Sequence, residues 1–108
     1  MEYNSDVTAI AASLGQSLIT CDFDSGDWNG TSSPDMQVKY KAAFDANPTN
    51  ILPLNHEVYN TSVFDVLPYV IDLAKTKGYK LVTVAECLGI DPYLHKDKPS
   101  KRDASWRC

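Results

Sequence analysis

Basic residues are in short supply: ten Lys and Arg stand against fourteen Asp and Glu, for a formal net charge of -4. Such a chain has no basic face ready to neutralise phosphates, which excludes nucleic acid as a partner. Long apolar runs are missing as well. Residues 10–14 and 66–71 fall far short of the roughly 20 residues needed to cross a bilayer, so no membrane span is predicted. The N-terminus has neither the basic start nor the apolar core of a signal peptide, and no export signal is expected from the chain as it stands. Cysteine is sparse and odd in number. Cys21, Cys87 and Cys108 show no CxxC spacing, which excludes a four-cysteine zinc site and a thioredoxin-like redox centre. There is no glycine-rich phosphate loop, GxSxG elbow or HExxH helix. What is present is 44% hydrophobic over 108 residues, enough to exclude disorder and to fill one ordinary domain.

Val7, Ile10, Ala11 and Leu14 recur at helical spacing, with Asn4 or Ser5 as cap and Gly15 as stop. Residues 17–23 read as a buried strand whose end delivers Asp22, Asp24 and Asp27. Ser33-Pro34 opens a second helix with Met36, Tyr40, Ala43 and Phe44 on one face, closed by Asn47-Pro48. Residues 50–56 form a second strand, where Pro53 removes a ladder donor. A third helix carries Val63, Val66, Leu67, Val70, Ile71 and Ala74 and ends before Gly78, with regular bonding beginning near Asp65 and Pro68 in its first turn. Residues 80–85 are expected as a third strand, with residues 86–89 turning away from it. From Ile90 the composition becomes that of an irregular polar tail. Helix and strand alternate with brief connections, which predicts an α/β fold with parallel strands joined by right-handed crossovers. Chemistry in such folds lies beyond the C-terminal ends of the strands.

Two polar groups fall at those ends. A histidine ending one strand beside a carboxylate ending the next can be held in one tautomer and supported in its protonated form, and His56 with Asp27 fits that description. The alternative is a solvated loop histidine and an aspartate that stabilises a Ser-Gly turn. Asp22, Asp24 and Asp27 invite a hard-cation reading, a weak one with so few partners nearby. Trp28 in a polar loop is either a platform for a sugar ring or a loop anchor. Cys21 inside an apolar strand reads as a small hydrophobe, and His95 lies in the tail. Asn29-Gly30-Thr31 and Asn60-Thr61-Ser62 are glycan-acceptor triplets, so Asn29 and Asn60 are candidates for modification. Cys87 and Cys108 can close a loop worth about 3 kcal/mol in the chain-entropy model, leaving Cys21 without a mate in this chain.

Three blocks, taken together, carry a resemblance: Asp22-Phe23-Asp24-Ser25-Gly26-Asp27-Trp28, then Ile51-Leu52-Pro53-Leu54-Asn55-His56-Glu57, then Gly78-Tyr79-Lys80-Leu81-Val82-Thr83-Val84-Ala85-Glu86-Cys87-Leu88-Gly89. In order and spacing they resemble the C-terminal half of polysaccharide deacetylases, the NodB-homology enzymes of carbohydrate esterase family 4, and among these most of all the fungal chitin deacetylases. Glu2-Tyr3-Asn4 also resembles the residues directly after that family's Arg-x-Pro-Tyr-Gly motif. The resemblance implies that residues 1–92 are the C-terminal portion of a distorted (β/α) barrel of three parallel βα-type units, incomplete as it stands, with 93–108 as a polar tail. It implies that His56 is the general acid, that Asp27 tunes it, that Trp28 lines the groove and that Leu54 lines the acetyl pocket. It further implies a divalent metal, zinc by preference, a chitin or related N-acetylglucosamine substrate, and a secreted or cell-wall location for the parent enzyme.

The departure from the family is large. The Thr-Phe-Asp-Asp motif, the His-x-x-x-His pair and the third motif's arginine are all absent, so no residue here is expected as a metal ligand. The expectation is therefore a fragment of a longer deacetylase, inactive and marginally stable alone, since a barrel takes about 250 residues. Two alternatives stand beside it: a non-catalytic carbohydrate-binding or regulatory domain that keeps the groove wall, and an unrelated small α/β domain.

Overall fold

Ser32, not Ser33, starts the central helix: its hydroxyl caps the Asp35 N–H, and Pro34 then sits within the first turn of α2 (Ser33–Asp45). In this computed structural model, which describes residues 3–107, α2 carries the core. Its buried face of Met36, Tyr40 and Phe44 meets Val66, Val70 and Ala74 of the following helical pair. Phe23 and Tyr79 add rings to that contact, with centroids 4.5 Å from Tyr40 and 5.1 Å from Phe44 respectively. Tyr79 reaches the core because Gly78, at φ +82°, reverses the chain and lets the Tyr79 N–H bond back to the Ala74 carbonyl.

The helix predicted to begin near Asp65 is in two parts. Residues Thr61–Val66 form a π-helical segment, and regular α-helix α3 runs Leu67–Thr76 with Pro68 in its first turn. Pro68 has no N–H to continue the π-helical ladder, and the change to α geometry falls at the first turn of α3. At the far end, Asp45 at the close of α2 receives both Lys41 and Lys77, the latter at 2.7 Å across from α3. The two ammonium groups hold the Asp45 carboxyl down at about 2.

The strands are shorter than their sequence patterns. Among the described residues only Phe23–Asp24 (β1) and Pro53–Leu54 (β2) pair, in parallel, Phe23 with Pro53 and Asp24 with Leu54. Pro53 offers no N–H, and the Leu52 N–H is taken by the Asp22 carboxylate at 2.7 Å instead of by backbone, so the ladder stays two residues long. Residues 17–22 form no strand, and Leu18 and Ile19, expected inside a buried one, are exposed. The third predicted strand, residues 80–85, is absent. A strand exists only through its ladder, and none is offered there; Thr83 instead caps a short helix, α4 (Val84–Leu88), in a reciprocal capping box with Glu86. The parallel α/β character holds, with a two-stranded sheet in place of three strands.

The first helix, α1 (Ser5–Ser13), starts as expected, with Asn4 accepting the Val7 N–H at 3.0 Å. Its apolar face is not covered by the described residues: Ala11 is buried, whereas Val7, Ile10 and Leu14 are exposed. Residues 90–107 contain no helix or strand. The radius of gyration is 17.9 Å, against roughly 13 Å for a compact domain of about 100 residues. Cys21 and Cys87 form no disulfide with each other. The Cys87–Cys108 pairing and the Glu2 part of the resemblance lie outside the described residues. Among the described residues no helix is long and apolar enough to cross a membrane.

Candidate functional site

The loop leaving β1 is locked by its own side chains. Asp24 accepts the Gly26 N–H at 2.8 Å and the Trp28 indole N–H at 3.0 Å, and the indole bond foremost holds the Asp24 carboxyl below its usual value. Buried Ser25 donates its hydroxyl to the Leu54 carbonyl at 2.9 Å, tying the loop to β2. Gly26 lies at φ +82°, and a Cβ there would come within 2.6 Å of the Thr31 hydroxyl and 3.0 Å of Lys39 Nζ, so only glycine fits the turn. That turn starts a single 3₁₀ turn, Asp27–Asn29, and drives the Asp27 side chain inward while Trp28 points out.

Asp27 and His56, 29 residues apart in sequence, meet here. Asp27 Oδ2 accepts the His56 backbone N–H at 2.6 Å, and Oδ1 lies 2.9 Å from His56 Nδ1. The Asp27 side chain is fully buried, and the imidazole is 40% exposed. Burial by itself would raise the Asp27 carboxyl; bonds from the His56 amide, the His56 ring and the Ser62 hydroxyl outweigh it and hold the group below its ordinary value. Asp27 is therefore a carboxylate at neutral pH. With Nδ1 committed to it, the open nitrogen of the ring is Nε2. Tyr59 meets the ring edge-on, centroids 5.8 Å apart.

Around the pair, Asn55 accepts the Tyr40 hydroxyl, and its own Nδ2 is buried with no partner among the described residues. Burial foremost, aided by the charges of Asp27 and Asp24, raises the Tyr40 phenol well above its usual value, so it stays a donor. Leu54 is half-buried and lines a shallow cavity of about 170 Å³ with Cys21, Asp22, Phe23 and Asp24. His56 and Asp27 are not among the residues that line it. Trp28 is 56% exposed and presents its indole at the rim of the loop.

The three aspartates do not converge. Asp22 is spent on Leu52, Asp24 on Gly26 and Trp28, and Asp27 on His56 and Ser62. Among the described residues no three His, Cys, Asp or Glu side chains are grouped to hold a metal, and His95 lies in the tail beside Asp97. The divalent metal implied by the resemblance has no fitting ligand set here. Asn29 and Asn60 are both exposed. Sequence patterns missed Ser62, whose hydroxyl donates to Asp27 Oδ2 at 2.7 Å. Its signal lay in the sequence only as the third member of a glycan-acceptor triplet, which concealed its place beneath the pair.

No protein-family model matches the chain. The chitin deacetylase of Colletotrichum lindemuthianum is 29% identical over 84 residues, covering 73% of this chain and 34% of that protein. The chitin deacetylase of Arthroderma benhamiae is 28% identical over 102 residues, covering 92% of this chain and 27% of that protein. The chain thus spans about a third or less of the length of the curated relatives it matches. Over most of its own length, then, this chain is similar in sequence to chitin deacetylases.

Proposed function

We propose that this chain carries the leaving-group side of a metal-dependent chitin N-deacetylase active site, acting on the N-acetyl groups of N-acetylglucosamine polymers. The observation that supports it is the Asp27–His56 pair, built on the ends of adjacent parallel strands in a chain similar to chitin deacetylases. An amine leaves poorly as an anion. In this reading protonated His56 gives the Nε2 proton to the amide nitrogen of the tetrahedral intermediate as the C–N bond breaks, releasing the glucosamine amine and acetate. Asp27 keeps the ring oriented. A positioned acid of this kind contributes about 10²–10⁴ in rate. Trp28 stacks against a sugar ring, and Leu54 receives the acetyl methyl.

The same reading makes residues 1–92 the C-terminal portion of a NodB-homology domain and β1 and β2 neighbours in a larger distorted barrel. Residues 93–108 are its polar tail. Asn29 and Asn60 carry glycans in a secreted or cell-wall protein, and Cys87 pairs with Cys108. The metal and the nucleophile come from residues beyond this set, so the 108 residues alone hydrolyse no amide. A second reading, a non-catalytic carbohydrate-binding domain, is favoured by one observation: the exposed Trp28 indole is fixed in orientation by Asp24. Titrating chitin oligomers into the isotope-labelled chain tests what the two share. Shifts at Trp28, Leu54 and His56 are expected, and shifts confined to α1 or the tail would contradict both. Acetate release by the full-length gene product separates them.

A further inference from the structure

Ser62 is 1% exposed and is one of only three buried polar residues among those described, the others being Ser25 and Asp27. A serine in a helix ordinarily returns its hydroxyl to a carbonyl of the preceding turn. Ser62 instead donates across to Asp27 Oδ2 at 2.7 Å, from the π-helical segment that precedes α3. Asp27 Oδ2 thus takes two donors, the Ser62 hydroxyl and the His56 N–H, and Oδ1 is left to the imidazole alone. A carboxylate held by one oxygen from two directions cannot rotate about its Cβ–Cγ bond without breaking both bonds, so Oδ1 stays aimed at Nδ1. π-helical segments are rare and concentrate at functional sites, and this one puts Ser62 directly under the pair.

We propose that Ser62 is a positioning residue: through Asp27 it fixes the orientation and tautomer of His56, so that Nε2 and not Nδ1 faces the substrate. Its catalytic significance rests on the deacetylase reading; its physical coupling to Asp27 and His56 does not. The other ionisable groups around Asp27 are Asp24 on the same loop, Lys39 and Tyr40 on α2, and His56 after β2. Ser62 hydrogen-bonds none of them, and Asp24, which feels Asp27 only through its charge, serves as the comparison.

The test is NMR on the labelled 108-residue chain, following the Asp27 and Asp24 carboxyl carbons and the His56 ring nitrogens with pH. Ser62→Ala is expected to raise the Asp27 midpoint by more than any shift at Asp24, and to give His56 a mixture of tautomers. Ser62→Thr keeps the hydroxyl and restores both signatures. Unchanged Asp27 and His56 signals in folded Ser62→Ala would overturn the proposal, as would equal changes in Ser62→Thr. Should Ser62→Ala fail to fold, the wild-type chain decides: a slowly exchanging Ser62 hydroxyl proton supports the bond, and exchange at the solvent rate overturns it. Loss of the coupling leaves the deacetylase reading standing on His56, and failure of chitin hydrolysis leaves the coupling standing.

Discussion

Asp27 holds His56 at two points, the ring on one carboxylate oxygen and the backbone N–H on the other, and so sets both where the histidine sits and which way its ring faces. Replacing that carboxylate removes more than a charge. Asp27→Ala leaves the buried Ser62 hydroxyl and the His56 amide without an acceptor, at about 1–3 kcal/mol for each buried unsatisfied group. Urea denaturation is expected to show a loss of about 2–4 kcal/mol; a loss below about 0.5 kcal/mol would mean the contacts are solvent-replaceable.

The pH response has a definite sign. Asp27 ionises below its ordinary value of 3.8, so it contributes stability that is fully present above that value and is lost as pH falls through its lower folded value. Asp45, held at about 2 by Lys41 and Lys77, acts in the same direction on the exposed surface. Stability measured from pH 6 to pH 2 is expected to fall below about pH 4, and the fall is expected to be shallower in Asp27→Asn. An identical slope in the variant would rule out Asp27 as a source of the acid response.

The core makes a sharper prediction. Met36 is fully buried between α2 and the helical pair, so Met36→Ala is expected to cost about 2–5 kcal/mol. Val38, two residues on, is 67% exposed, and Val38→Ala is expected to stay within about 0.5 kcal/mol. The exposed apolar face of α1 behaves like Val38: Ile10→Lys with Leu14→Lys is expected to leave the denaturation midpoint unchanged and to raise solubility.

These contrasts show what local pattern conveys and where it stops. The helical faces of α2 and α3 were legible, because Met36, Tyr40, Phe44, Val66, Val70 and Ala74 recur at the period that one packed face requires. Strand ends in an α/β order offered Asp27 and His56 as one possible pair beside a solvated-loop alternative, and the ring nitrogen and carboxylate do meet at 2.9 Å. The sequence also led us to expect that the apolar face of α1 lacks part of its cover, and Val7, Ile10 and Leu14 are exposed among the described residues. The third strand failed for a related reason. Leu81 and Val82 have strand-like side chains, but a strand needs a neighbour's backbone, and the local capping box of Thr83 and Glu86 prevails. Ser62 was invisible because hydroxyl residues carry no periodic signal and its partner lies 35 residues away.

The triplet Asn60-Thr61-Ser62 carries a prediction about timing. Its hydroxyl residue is buried and engaged with Asp27 in the folded chain, whereas Asn29 is exposed in a loop with the Thr31 hydroxyl donating to its side chain at 2.8 Å. In a secretory host, a glycan at Asn60 is expected only when attached before folding, and refolded chain offered to the transferase is expected to be modified at Asn29 alone. Mass spectrometry of the glycopeptides reads both sites; equal modification of Asn60 after refolding would contradict the burial of Ser62.

Acetate release from chitin oligomers by the full-length gene product, compared with its His56→Ala variant at equal metal content, tests the acid role most directly. Turnover is expected in the parent protein, with a loss of about 10²–10⁴ in the variant and metal retained. Unchanged turnover in His56→Ala would contradict the acid role, as would the absence of any acetate release from the metal-loaded parent.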